Sequence, residues 1–234
     1  MEKLNIIIKY LYHSGFCVET DKCLLVFDFY QGSLNLKNKK TYVFSSHIHP
    51  DHYNPEIFKW QNKQPQPSVQ YILSNDICSV KDIPLTKDNI TFISPYEEKQ
   101  IDDINVKAYG STDEGVSFLV RCDGVSIFHA GDLNWWYWEE ETPAENIIAE
   151  KGFKEEIAKI KGESIDIAFF PVDPRLEQNY CLGAELFINE INPGYFIPMH
   201  FWDDHDVVRQ FCTRMKDSAT QVIQFTQRGQ EVVI

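Results

Sequence analysis

Short runs rich in β-branched and aromatic residues crowd the first 130 positions, and they restrict this chain to folds built around sheet. The runs cover 5–11, 16–20, 23–28, 41–45, 69–73, 89–93, 104–109, 116–121 and 125–128, and each reads as a strand. Asp123-Gly124 separates the last two, and this dipeptide accepts the positive φ angles of a type I′ hairpin turn. A looser hairpin turns at 20–22. The two hairpins echo one another at a constant offset, with Phe16, Val18 and Asp21 matching Phe118, Val120 and Asp123, and each second strand leads towards an aspartate, Asp28 or Asp132. The echo points to two similar halves folded face to face.

Helical signals lie between and after the strands. Asn54-Pro55 opens one through Ile57, Phe58 and Trp60. Thr142-Pro143-Ala144-Glu145 is a capping box, followed by an apolar face of Ile147, Ile148, Phe153, Ile157 and Ile160 with a bend at Gly152. A third helix covers 184–191 and stops at Asn192-Pro193-Gly194. A fourth starts at Asp203, Asp204 and Asp206 and buries Val207, Val208, Phe211, Cys212 and Met215. Apolar strands at 165–172 and 195–199 separate these helices, and the chain closes with strands at 222–225 and 231–234. Strands clad by helices make a layered α/β sandwich.

With 234 residues, one domain over 1–234 is expected, and 43% hydrophobic residues exclude disorder as the main state. The net charge of −13 repels phosphate backbones, so no nucleic-acid partner is expected. Lys37, Lys39 and Lys40 form the one dense basic cluster, which reads as a solvated loop. The apolar run 6–8 is broken by Lys9, so no secretion or membrane segment is visible. Six cysteines without a C-x-x-C pair suit free thiols in a reducing cytoplasm, although Cys17 and Cys23 would face each other if the first hairpin's register allowed it. Oligomeric state is left open.

Three of the seven histidines fall in His47-Ile48-His49-Pro50-Asp51-His52, directly after the apolar strand at 42–44. In an extended segment His47 and His49 project to one side, and a turn would bring Asp51 and His52 back towards them. Imidazoles beside a carboxylate suit a borderline cation such as zinc. Two other apolar strands end in potential ligands: 125–128 runs into His129-Ala130-Gly131-Asp132, and 195–199 into His200. Taken alone, Asp132 also reads as a turn residue and His200 as a buried, hydrogen-bonded histidine.

The pattern H-x-H-x-D-H, an H-A-G-D segment and a late histidine after a strand together resemble the metallo-β-lactamase superfamily of metal-dependent hydrolases. Within it the chain is most similar to the single-domain bacterial hydrolases near the ascorbate-phosphate lactonase branch. The resemblance implies a four-layer αββα sandwich with a metal site at one edge of the two sheets. By position, His47 and His49 would hold one metal, Asp51, His52 and His200 a second, and Asp132 would bridge them. One or two zinc ions are implied, with Asp51 orienting and deprotonating the attacking water on a small ester, lactone or phosphodiester substrate.

One element departs from the family: the histidine ligand usual between the His-rich window and H-A-G-D is missing. The matching region, 108–115, offers Asp113, as an oxygen ligand or a contact to substrate, and a carboxylate-richer site moves the preference towards manganese or iron. His129 reads as core, or as a neighbour of the ligands. Asp28 is the best partner for a ligand's other ring nitrogen. His13, in Tyr12-His13-Ser14-Gly15, either lies near the site or faces solvent in a turn. Trp135, Trp136, Trp138 and Trp202 adjoin metal-motif residues; Trp135 and Trp202 are candidate substrate walls, while Trp136 and Trp138 equally suit an apolar gap between loop and sheet. Arg175 either anchors an anionic substrate group or forms a surface ion pair. Two other functions compete with hydrolysis: a weakly catalytic metal-binding sensor or interaction protein, and a di-iron redox enzyme. The second is disfavoured because oxygen-reducing relatives carry glutamate where His49 stands.

Overall fold

Both hairpins form where the turn chemistry places them. Asp123 and Gly124 take φ of 49° and 77° between the paired residues Cys122 and Val125, joining β9 (Ser117–Cys122) to β10 (Val125–His129). In the other hairpin, β2 (Gly15–Glu19) meets β3 (Cys23–Phe27); the Thr20 N–H donates to the Cys23 carbonyl at 3.0 Å, and the Cys23 N–H to Thr20 Oγ1 at 3.2 Å. The computed structural model describes residues 5–36, 39–62, 68–80, 83 and 88–234. They form two compact units, Met1–Ser94 with Thr226–Ile234, and Pro95–Phe225.

The first unit holds one seven-stranded mixed sheet, ordered β14-β1-β2-β3-β4-β5-β6. Its remaining strands are β1 (Ile7–Tyr12), β4 (Lys40–Ser45), β5 (Val69–Ser74), β6 (Ile90–Ile93) and β14 (Glu231–Val233). A 3-10 turn at Pro55–Asn62 replaces the expected helix, and Ile57, Phe58 and Trp60 from it pack with Val26, Val43 and Tyr71. Cys17 pairs with Val26 and Cys23 with Lys40, so the two thiols do not face each other. Lys39 is tied to the first hairpin, donating to the Thr20 carbonyl at 2.7 Å and pairing with Glu19 at 2.9 Å, while Lys40 opens β4. That pairing corrects the solvated-loop expectation for Lys39; Lys37 lies outside the described residues.

The second unit repeats the topology. Its mixed sheet is ordered β13-β12-β11-β10-β9-β8-β7, adding β7 (Glu98–Ile101), β8 (Ile104–Tyr109), β11 (Ile167–Pro171), β12 (Tyr195–Met199) and β13 (Gln221–Val222). In each sheet a hairpin is followed by successive parallel strands, β3 to β6 and β10 to β13, with antiparallel strands on its other side. The register repeats as well: Phe16 faces Phe27 and Val18 faces Leu25, as Phe118 faces His129 and Val120 faces Ile127.

Helix α1 (Pro143–Ile160) has the expected capping box, with the Thr142 N–H donating to Glu145 Oε2 at 2.8 Å. It runs unbroken through Gly152. Phe153, Ile157 and Ile160 are buried, whereas Ile147 and Ile148 are 64% and 70% exposed and do not join the apolar face. Helix α2 (Leu182–Ile191) ends on Asn192 at φ 53°, and α3 (His205–Arg214) is capped by Asp204, which accepts from the Asp206 and Val207 N–H groups. Cys212 and Met215 are only half-buried. An aromatic core joins helices to sheet through Phe128–Phe187 at 5.3 Å, Phe170–Phe187 at 4.6 Å and Phe196–Phe211 at 5.4 Å.

After α1, Glu163 accepts from Lys107 Nζ at 2.7 Å and from Tyr109 and Arg121. Burial raises its pKa, but these partners outweigh burial and bring it from 4.5 to about 2. A depressed carboxylate stabilises the fold above its unfolded pKa and loses that contribution as pH falls through the folded value. Glu163→Gln should therefore cost roughly 1 kcal/mol at neutral pH after solvent screening. Denaturant titrations of both proteins should show the difference shrinking between pH 4.5 and about 2.

Candidate functional site

In the first unit β4 delivers its chain end straight into the histidine window. The His49 carbonyl accepts the His52 and Tyr53 N–H groups at 3.0 and 2.9 Å, so the chain turns back and returns Asp51 and His52 towards the strand end. Asp28, fully buried at the end of β3, accepts from the Ser46 N–H, Ser46 Oγ and His52 Nδ1, each at 2.7 Å. With Nδ1–H given to a carboxylate, His52 presents the Nε2 lone pair, the form in which an imidazole ligates a cation. His47 Nε2 and His49 Nδ1 lie 3.0 Å apart. His13 is fully buried at φ 57°, its backbone N–H donating to the Tyr10 hydroxyl, and its Nε2 is 3.4 Å from Asp51 Oδ2. It does not face solvent in a turn: His13, Asp51 and His52 each offer an atom that could hold a metal ion within 4.8 Å of the others. Burial pushes the Asp51 carboxyl up, but His13 and His52 hold it well below the usual range.

In the second unit Asp132 follows β10, with Gly131 at φ 53° making the turn. Its Oδ1 is 3.3 Å from Nε2 of His200, which follows β12. His200 mirrors His52: its Nδ1 meets Asp173 Oδ2 at 2.8 Å. Asp173 is fully buried and accepts from the Arg175 N–H at 2.9 Å, Nε at 3.0 Å and Nη2 at 2.5 Å. Burial raises the Asp173 pKa, yet His200 and then Arg175 lower it to about 2. Burial likewise opposes a charged His200, but Asp132 and Asp173 raise its pKa above the ordinary value.

Against known proteins, residues 7–145 match the model of the beta-lactamase superfamily domain, which is more than half of the chain. The chain belongs to the beta-lactamase superfamily. No curated protein matches by sequence. Among solved structures it is similar to Igni18, a metallo hydrolase from Ignicoccus hospitalis, at 15% identity and TM-score 0.68, covering 98% of each chain. It is also similar to the metallo-beta-lactamase fold protein YhfI from Bacillus subtilis, at 13% identity and TM-score 0.67, covering 99% of this chain and 100% of that one. CmlA, a diiron β-hydroxylase from Streptomyces venezuelae, aligns at 10% identity and TM-score 0.61, covering 98% of this chain and 54% of CmlA. These likenesses show the fold, two mixed sheets flanked by helices in the α/β sandwich of the metallo-β-lactamase superfamily.

Within this beta-lactamase superfamily chain, the residues around the histidines and aspartates sort differently from their sequence order. Trp135 turns to α1, stacking on Phe153 at 6.3 Å beneath Lys154, which departs from the expected substrate wall. Trp136 instead stands 5.6 Å from the His200 ring and donates Nε1–H to the Asp132 carbonyl at 3.0 Å, and Trp202 lies 6.5 Å from His200. Arg175 is occupied with Asp173 and lies over Trp138, so its main contact is the carboxylate that holds His200. His129 is core, accepting the Gly131 N–H. Asp113 is exposed and joins none of the ligand groupings among the described residues. Its neighbour Thr112 ties this loop to the Asp132 segment, donating to the Asn134 carbonyl at 2.6 Å and accepting the Asn134 N–H at 2.9 Å.

Three contributors escaped sequence reasoning: Asp173, Thr112 and Asp76. Asp76 Oδ2 accepts the N–H of Ile48, between His47 and His49, at 2.8 Å. Asp76 and Asp173 follow apolar strands as Asp28 does, so the same strand-end signal marks all three.

Proposed function

We propose that this chain is a metal-dependent hydrolase acting through 1–234 as one catalytic domain, with His47, His49, Asp51, His52, Asp132 and His200 as its metal ligands. The observation that carries this reading is that His52 and His200 each give Nδ1 to a buried aspartate, at 2.7 and 2.8 Å, which turns both imidazoles into Nε2 donors. The donor set of imidazole nitrogens and carboxylate oxygens fits one or two zinc ions, and manganese or iron by its carboxylate content. The chemistry a bound cation supplies is Lewis acidity, which lowers the pKa of water from 15.7 to about 7 and polarises a scissile oxygen.

The chain's own residues do the rest. Asp51, kept ionised beside His13, orients the attacking water and takes its proton. Asp28 and Asp173 fix the rings of His52 and His200, and Asp76 fixes the backbone between His47 and His49. Trp136 and Trp202 line the His200 side, where they exclude water and stack a small substrate. An ester, lactone or phosphodiester fits this chemistry, and cysteines without a C-x-x-C pair suit work in the cytoplasm. Among the described residues no helix is long and apolar enough to cross a membrane.

The test is metal analysis of protein purified without added metal, followed by a screen of generic phosphodiester, lactone and thioester substrates with and without chelator. Bound zinc, manganese or iron and chelator-sensitive turnover are expected. Bound metal without turnover on any class would favour the sensor reading, and absence of bound metal would overturn both.

A further inference from the structure

In the first unit β1 and β2 are joined by a two-residue turn, His13-Ser14, between the paired residues Tyr12 and Gly15. His13 takes φ 57° there, a left-handed conformation that favours glycine and persists elsewhere only where the surroundings over-determine it. Here they do so on both sides. The His13 N–H donates to the Tyr10 hydroxyl at 3.0 Å, and a Cβ at Gly15 would lie 2.9 Å from the Tyr12 carbonyl oxygen and 3.0 Å from that of Asp28. The turn is thus pressed against the end of β3, beside the aspartate that takes His52 Nδ1, and His13 is fully buried.

Imidazole–carboxylate contacts in this chain fall into two classes of length. His52 and His200 meet Asp28 and Asp173 through Nδ1 at 2.7 and 2.8 Å, the separation of a charge-assisted hydrogen bond. His13 meets Asp51 through Nε2 at 3.4 Å, outside that range. Two donors held tetrahedrally by one zinc at its usual bond lengths stand about 3.3–3.4 Å apart. In the second unit, the proposed ligands His200 and Asp132 show the same spacing, 3.3 Å from Nε2 to Oδ1. The rings of His13 and His52 are 5.5 Å apart and nearly perpendicular at 80°, and with Asp51 they each offer an atom that could hold a metal ion within 4.8 Å of the others.

We propose that His13 is a further metal ligand, binding a cation through Nε2 together with Asp51 and His52. Two imidazoles and a carboxylate are the donor set of three-ligand catalytic zinc sites, which keep a coordination position for water. The same set with open positions also suits iron(II). The strained turn then has a reason: it carries an imidazole into the histidine window from the opposite end of the sheet's first hairpin, where a glycine would carry nothing. The inference rests on the metal-dependent reading and adds a donor to it.

The test titrates cadmium(II) into the full chain and reads the histidine ring nitrogens by NMR. One-bond couplings from the bound cadmium nucleus to Nε2 of both His13 and His52 are expected. His49→Ala, which leaves His13, Asp51 and His52 in place, should keep both couplings. His13→Asn removes the imidazole with a residue that tolerates the left-handed backbone. Competition against a chromophoric chelator should show that it weakens cadmium at this site by more than the roughly 10–100-fold that loss of an outer hydrogen-bond partner costs. The couplings are read in the parent chain, so they decide the assignment even if the variant fails to fold. A His13 ring without coupling in a chain whose His52 is coupled, or unchanged cadmium affinity in His13→Asn, would overturn the assignment and leave the hydrolase reading standing. A parent chain that takes up no cadmium, zinc, manganese or iron would overturn both.

Discussion

Replacing Asp51 by Asn, or His49 by Ala, should abolish hydrolytic turnover while leaving the fold intact. Asp51 lies 3.4 Å from His13, and the pair His13 and His52 keeps it ionised below the usual carboxylate range. Asparagine preserves its shape and accepts one hydrogen bond but cannot take a proton, so the loss should be at least about 10²–10⁴-fold in kcat. His49 is half-buried, and its Nδ1 stands 3.0 Å from His47 Nε2. Its removal should lower metal content as well as rate. Circular dichroism should match the parent in both variants. Full turnover by either one would sink the ligand assignment.

The second large effect is on stability. A Cβ at Gly183, in the first turn of α2, would lie 2.1 Å from Asn134 Oδ1 and 2.9 Å from the Trp135 backbone nitrogen. Asn134 is buried and bonded to Thr112, and a backbone nitrogen cannot swing aside as a flexible side-chain end can. Gly183→Ala should cost about 3 kcal/mol by overpacking. In a chain of this length that lowers Tm by roughly 6–12 °C. Because the displaced segment is the one after Asp132, activity should fall more than the melting shift alone explains. Gly152→Ala is the control: nothing stands within 4 Å of its Cβ, and replacing a glycine inside a helix should stabilise by about 0.5–1 kcal/mol. A Gly183→Ala protein melting with the parent would refute the packing argument.

How much of this was legible beforehand depends on the range of the forces involved. Turn and cap chemistry is local, so Asp123-Gly124, the Thr142 capping box and the Asn192 stop all appear where their residues require them. Strands buried by the sheet carried enough apolar residues to be read. The strand Glu98–Ile101 was missed because it is an exposed edge strand of polar composition, and 222–225 shortened to a two-residue strand. The apolar face of α1 was misread at Ile147 and Ile148, because periodicity reports which residues share a stripe and not how far the neighbouring sheet extends beneath it.

The site divides along the same line. The histidine window, Asp132, His200 and Asp28 were readable because each is a ligating or carboxylate side chain at the end of an apolar strand, and parallel strands leave a sheet side by side. Asp173 and Asp76 carried the same strand-end signal but not the partner each would take, and Thr112 carried none, since these roles follow from hydrogen bonds across many positions of sequence: Asp173 to His200, Asp76 to Ile48 and Thr112 to Asn134. By itself, then, the sequence determined the hairpins, the strand ends that carry histidine and aspartate, and the chemical identity of those side chains, all set by residue type and local dihedral preference. Only the tertiary structure decided which aspartate orients which ring, that Arg175 serves Asp173, and that Trp136 and not Trp135 stands beside His200, because those outcomes depend on side-chain direction and packing between distant segments.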